Sequence, residues 1–119
     1  MKKLTVYHYP QCGTCRKAIQ WLRGRGHELE LVHIVDRPPE REQLEEFSRK
    51  SGLEPAKMFN TSGQVYRELG LKDRVKTMSP EEAIGLLASN GKLVKRPIVT
   101  DGDKVTVGFN EKQFESTWG

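Results

Sequence analysis

The sequence predicts an α/β fold: a four-stranded mixed sheet flanked by helices, with an all-helical insertion between strands two and three. Three observations predict it. The opening 35 residues read as strand, helix, strand. The stretch 53–91 carries helical signals only. Residues 96–119 read as a hairpin followed by a helix.

Each element has its own warrant. "KLTVYHY" (3–9) is rich in β-branched and aromatic residues and predicts a strand, ended by Pro10. Cys15, Ala18, Ile19 and Leu22 fall at i, i+3, i+4, i+7, the apolar stripe of a helix starting near Thr14. Gly24 and Gly26 close it. "HELELVHIV" (27–35) predicts a second strand, apolar enough to be largely buried. Pro38 and Pro39 open a polar helix, "EREQLEEFSRKSG", that Gly52 ends. The segments "EPAKMFN", "GQVYRELG" and "LKDRVKTM" each predict one or two helical turns. "SPEEAIGLLASNG" has clear ends: Ser79 and Glu82 at capping-box spacing, Pro80 at the first helical position, Gly91 beyond the last. "RPIVTDGDKVTVGF" (96–109) is a hairpin with Asp101-Gly102 as its turn. "NEKQFESTW" is a last helix, with Asn110 and Gln113 as capping pair and Phe114 and Trp118 to dock on the sheet. The order predicts helices on both faces of the sheet. With a C-x-x-C after strand one, the layout is thioredoxin-like.

A length of 119 residues predicts one domain, 1–119, with a core of about 1–36 and 92–119 and the insertion at about 37–91. No apolar run approaches the roughly 18 residues a membrane span needs. The start, "MKKLTVYHYPQC", has no hydrophobic leader segment, so a cytoplasmic protein is expected. The net charge is +4, with basic and acidic residues interleaved as in "EREQLEEFSRK". That balance fits a small oxyanion or an acidic protein patch. It offers no long cationic stripe, so neither direct nucleic-acid binding nor a membrane is expected.

The chain has two cysteines, Cys12 and Cys15, at the turn from strand one to helix one. Two cysteines in a cytosolic chain argue against a structural disulfide framework. Thiolate is the reactive form, and several neighbours favour it at Cys12: the helix start, His8 upstream, and Arg16 and Lys17 in the first turn, with Gly13 letting the backbone wrap close to the sulfur. Cys15 lies on the apolar stripe and is expected to be the more buried. An exposed attacker and a shielded partner are the two roles that disulfide exchange needs. Taken singly, Cys15 reads as a core residue and Cys12 as a loop residue without a task; their spacing at this turn favours a redox pair that forms a Cys12–Cys15 disulfide. Zinc needs four ligands, and one C-x-x-C with His8 beside it falls short, so no metal site is expected, nor any cofactor. For His8, tuning Cys12 and plain packing both stand. Pro97 opens strand three, where a thioredoxin-like sheet carries a cis-proline facing the cysteine turn; a trans edge proline is the alternative. Arg96 beside it has the reach to hold a thiolate or an anionic substrate, against the reading of a solvated side chain.

"TVYHYPQCGTCRKA" resembles the N-terminal motif of the glutaredoxin-linked arsenate reductases of the ArsC type, through Tyr7-His8, Pro10, Cys12-Gly13-Thr14, Arg16 and, later, Arg96-Pro97-Ile98. The C-x-x-C, "KRPIVTDGDKVTVGFNE" and the whole length also resemble the Spx group, redox-sensing transcriptional regulators that bind RNA polymerase through the C-terminal domain of its α-subunit. "FNTSGQVYREL" is similar to ArsC/Spx-like proteins that carry "FNTSGxxYREL". The resemblance runs end to end. It implies a thioredoxin fold with a helical insertion, Cys12 as nucleophile, His8 lowering its pKa and Arg96 as an active-site arginine. Gly13, Thr14, Arg16 and Pro97 then belong to the substrate site. The implied partners are a small thiol or oxyanion substrate and a glutaredoxin or thioredoxin system; for the regulator, the partner is the RNA polymerase α-subunit. Two departures stand out. Where arsenate reductases carry two further oxyanion-holding arginines, this chain has Ser62 or Gly63 and Gly108 or Phe109. Where they usually have serine, it has Cys15, which equips it to resolve its own mixed disulfide.

Overall fold

The computed structural model describes residues 2–119. The chain divides into two units. The first, running to His33 and resuming at Arg96–Gly119, builds the sheet. Its strands are β1 (Lys3–His8), β2 (Glu28–His33), β3 (Ile98–Thr100) and β4 (Val105–Val107), in the order β2-β1-β3-β4. β1 and β2 run parallel because helix α1 (Gly13–Gly24) carries the chain back between them. β3 is antiparallel to both β1 and β4, the latter across a tight turn.

Alternation along β1 puts Leu4 and Val6 on one face, fully buried. There they join Ala18, Ile19 and Leu22 of α1, Val99 of β3, and Phe114 and Trp118 of α6 (Glu111–Trp118) in one core cluster. Each large apolar side chain sunk there contributes about 1.5–3 kcal/mol. The Trp118 indole N–H donates to the buried Thr106 hydroxyl at 3.1 Å, so that polar pair costs little to bury. Asn110 caps α6 by accepting the Gln113 N–H at 3.2 Å, as the sequence predicts.

β2 departs from expectation. It is shorter than 27–35, and Glu28, Glu30 and Leu31 are exposed. It is an edge strand, paired on one side only, and its glutamates are the charges that edge strands carry. A run with three apolar residues among six looks buried only until its place in the sheet is known.

The β3–β4 turn is built on Asp101. Its Oδ1 accepts the N–H groups of Asp103 and Lys104 at 2.9 and 2.8 Å, and Gly102 takes a φ of 100°.

The second unit spans Ile34–Lys95. α2 (Arg41–Ser51) starts one residue after Glu40, which forms a capping box with Gln43; Gly52 ends it at a φ of 78°. α5 (Pro80–Ser89) packs on α2 and has the predicted cap, Ser79 accepting the Glu82 N–H at 3.2 Å. Between them lie α3 (Gln64–Glu68), α4 (Leu71–Arg74) and short 3-10 turns. The stretch 53–91 is not helical throughout: Phe59 forms an antiparallel bridge with Val94, flanked by Asn60 N–H to Leu93 C=O and Lys95 N–H to Met58 C=O, both 2.7 Å. Gly91 follows the α5 end as expected, for a packing reason: a Cβ there would lie 2.0 Å from the Ile34 carbonyl oxygen.

Candidate functional site

β1 ends at His8 and α1 begins at Gly13, so the intervening turn delivers Cys12 to the N-cap of a twelve-residue helix. The Cys12 N–H is fixed by the Tyr9 carbonyl at 2.9 Å. Its Sγ accepts the Cys15 N–H at 3.4 Å, the place a serine or aspartate oxygen takes in an ordinary cap. The sulfur therefore meets free N–H groups and the positive end of the helix dipole.

The two thiols sit in opposite surroundings. Burial is the largest influence on Cys12 and acts to raise its pKa. Hydrogen bonds from the Cys15 thiol and backbone outweigh it, together with a hydrogen bond and the charge from Arg96, so the pKa falls below its ordinary value of 9.0. Cys15 is completely buried. Burial pushes it up to about 12, and the hydrogen bond and charge of Cys12 add to that, against a backbone hydrogen bond from Tyr9 and the Arg96 charge. Both are free thiols.

Arg96 is thus brought to the sulfur. It precedes the buried Pro97 across a cis peptide bond, the isomer the thioredoxin-like reading expects. Its guanidinium carbon lies 4.9 Å from the centroid of the Tyr9 ring. Tyr9 in turn meets His33 edge-on at 5.5 Å, and His33 meets His8 at 6.3 Å. His8 has its pKa lowered by burial first and then by His33, which keeps it neutral around neutral pH. Thr14 and Arg16 are exposed on the first turn of α1. Gly13 is exposed too, and nothing beyond its own helix and chain neighbours lies within 4 Å of a Cβ built there. Among the described residues, no three His, Cys, Asp or Glu side chains gather to hold a metal ion. No helix of theirs is long and apolar enough to cross a membrane.

The positions lacking arginine have their own geometry. Gly108 is buried with a φ of 83° and donates its N–H to the Pro97 carbonyl at 2.9 Å. A side chain at that φ costs about 1–2 kcal/mol, so an arginine is disfavoured there by the backbone itself. Phe109 packs edge-on against Phe114 at 4.8 Å. In the second unit Ser62 is exposed, and a Cβ at Gly63 would lie 2.9 Å from Asn60 Nδ2.

Tyr9 and His33 were not singled out by sequence for this site. Tyr9 reads as one more strand residue. His33 faces His8 only through the parallel register of β1 and β2, which two separate strand patterns do not disclose.

Comparison with known proteins supplies the setting. The model of the ArsC family matches residues 7–117. The uncharacterised protein YusI of Bacillus subtilis (strain 168) is 56% identical over 97% of this chain and 98% of its own. The regulatory protein MgsR of the same organism is 31% identical over 92% of this chain and 85% of its own. An arsenate reductase of Yersinia enterocolitica is 31% identical over 83% of this chain and 69% of its own. Among solved structures, an ArsC-family-related protein of Bacteroides fragilis superposes with a TM-score of 0.91 at 46% identity, covering 96% of this chain and 97% of that one. The sheet order and flanking helices are those of the thioredoxin-like structures of such proteins.

Proposed function

We propose that this chain, which belongs to the ArsC family, works as a single domain over 1–119 and is a cytoplasmic thiol–disulfide oxidoreductase. The observation that carries the reading is the contrast between Cys12, half-buried with a lowered pKa, and Cys15, fully buried and pushed up to about 12. Cys12 ionises first and attacks one sulfur of a disulfide substrate; the S–S bond breaks and one thiolate leaves. Cys15 gives up its proton to solvent or to the departing thiolate and attacks Cys12. The second substrate thiolate leaves, and a Cys12–Cys15 disulfide remains. The substrate has gained two electrons and the pair has lost them; a dithiol of the glutaredoxin or thioredoxin kind returns them. Arg96 holds the Cys12 thiolate. His8 ends β1 beside the same turn and acts on it through His33, which its ring meets at 6.3 Å. Gly13, Thr14, Arg16 and Pro97 line the approach.

The test is turnover of a small disulfide, with NADPH and a glutaredoxin or thioredoxin system as reductant. Cys12→Ser should abolish turnover. Cys15→Ser should accumulate a mixed disulfide on Cys12, read as a mass increase. Cysteines that both stay reduced under mild oxidant would sink the reading.

Arsenate reduction linked to glutathione and glutaredoxin is the narrower version. Its support is the motif shared with arsenate reductases and the Yersinia enterocolitica relative. Against it, an oxyanion on Arg96 lacks two further arginines, each worth about 1.5–3 kcal/mol in charge-assisted contacts. Arsenate-dependent NADPH oxidation that disappears in Cys12→Ser would select this version; none at saturating arsenate would eliminate it. A second reading is a redox-sensing transcriptional regulator that binds the C-terminal domain of the polymerase α-subunit, favoured by the likeness to MgsR. Pull-down with that domain, oxidised against reduced, separates the two, and no binding in either state removes the regulator.

A further inference from the structure

Arg96 sits on a long, flexible side chain with about 2 kcal/mol of rotamer freedom to lose, so something must hold its guanidinium at the sulfur. The Tyr9 ring is placed for that task. Its backbone is pinned to the cysteine turn, its carbonyl accepting the Cys12 N–H at 2.9 Å. The ring is half-buried, with its hydroxyl donating to Gln11 Oε1 at 3.3 Å. His33 of β2 braces it edge-on at 5.5 Å and 84°. The Arg96 guanidinium carbon lies over it, 4.9 Å from the centroid. A ring face attracts a guanidinium through its quadrupole, and a planar guanidinium stacks there as a lysine ammonium does not.

We propose that Tyr9 is a positioning residue: its ring, braced by His33, holds the Arg96 guanidinium at the Cys12 sulfur. The proposal rests on the thiol-exchange reading above. The groups that bear on the Cys12 sulfur are then Cys15 from α1 and Arg96 from the segment before β3; His33 of β2 bears on the ring, and His8 of β1 bears on His33. Tyr9 acts through Arg96 and makes no covalent contribution. The hydroxyl is not part of the device; the ring is.

The experiment is the rate of Cys12 alkylation by iodoacetamide against pH, with the labelled cysteine identified by peptide mass. Tyr9→Leu should slow alkylation at neutral pH by roughly twofold to threefold and move the midpoint of the profile upward, the loss of one partly exposed cation–π contact. Tyr9→Phe should restore the wild-type profile. In an Arg96→Gln background, Tyr9→Leu should change nothing further, because the group it positions is gone. A role in packing alone would move the melting temperature but not this profile. Should Tyr9→Leu fail to fold, Tyr9→Met takes its place beside Tyr9→Phe: the variant without a ring should raise the midpoint and the ring-bearing one keep it at the wild-type position, and a wild-type midpoint in Tyr9→Met overturns the proposal. The proposal is overturned if Tyr9→Leu alkylates like wild type, if it slows equally without Arg96, or if Tyr9→Phe behaves as Tyr9→Leu. If wild-type Cys12 itself alkylates as an ordinary thiol, the thiol-exchange reading has failed and this proposal goes with it. A fast wild type with an equally fast Tyr9→Leu removes this proposal alone.

Discussion

Two acidic groups are held at the ends of β3, and by the same means. After its last residue, Asp101 receives two backbone N–H groups at 2.9 and 2.8 Å and the Lys2 ammonium at 3.1 Å. Before its first residue stands Arg96, which with one N–H at 3.4 Å serves the Cys12 sulfur. The difference lies in how completely each anion is satisfied. Asp101 has enough donors to overcome its burial and sit at a pKa of about 2, so it stays charged through the whole range around neutral pH. Cys12 has one longer bond, a neighbouring thiol and one arginine, which lower its pKa from 9.0 against the effect of burial. A saturated anion fixes a turn. A partly satisfied one stays close to its titration point, where it can lose a proton and then spend the charge on a bond to sulfur.

The largest expected effect belongs to the saturated end. Asp101→Ala removes the acceptor of two turn hydrogen bonds and the partner of Lys2, and should lower stability by about 1–2 kcal/mol, read from denaturant melts. Asp101→Asn keeps an acceptor oxygen and should lose less. The pH dependence gives the sign. A carboxylate with its folded pKa lowered from 3.8 to about 2 contributes stability that is fully present above 3.8 and is lost as pH falls through about 2. Wild-type stability should therefore fall across that window more steeply than that of Asp101→Asn. Equal slopes would mean that Asp101 and Cys12 are not held differently after all.

The partly satisfied end should respond in reactivity. Arg96→Gln removes the charge and the fork of donors beside Cys12, which is open enough to water for the effect to be screened. Alkylation of Cys12 at neutral pH should slow roughly threefold to tenfold, with the melting temperature almost unchanged. An unchanged rate would leave the helix N-terminus and Cys15 as sufficient causes of the low pKa, and would sharpen the contrast by removing the arginine from it.

How much of this could be read from residues alone follows from the range of each interaction. The caps at Ser79 and Asn110, the turn at Asp101-Gly102 and the stripe of Cys15, Ala18, Ile19 and Leu22 were legible because their partners lie within a few residues. The Cys12 N-cap was legible for the same reason. β2 was misjudged because burial depends on which strands lie beside it, and sheet order is not local. The bridge of Phe59 to Val94 joins residues far apart in sequence, within a stretch whose local signals are helical. Tyr9 and His33 were missed for the same reason, since one is met by Arg96 and the other by His8 only after three strands have paired. The missing arginine at position 108 could be seen in sequence; that its glycine has a φ of 83° could not.

The smallest expected effect is the most telling about Cys12. Serine is itself a strong N-cap residue, so Cys12→Ser should alter stability below neutral pH by less than about 0.5 kcal/mol while removing all chemistry. A difference should grow with pH. Because the folded pKa of Cys12 is depressed, its contribution to stability is present above the unfolded value of 9.0 and is lost as pH falls through the folded value. Wild type should therefore gain on Cys12→Ser as pH rises toward 9.0, under reducing conditions. Cys15 runs the other way: raised to about 12, it contributes below 9.0 and loses that contribution between 9.0 and about 12, so the advantage of wild type over Cys15→Ser should hold steady below 9.0 and shrink only in alkali. Denaturant melts of both variants across this range separate the two signs. A loss in Cys12→Ser at low pH as large as that of Asp101→Ala would make the sulfur a structural cap like the carboxylate. A near-zero loss there, opening as the thiolate forms, is what a group kept for reaction should give.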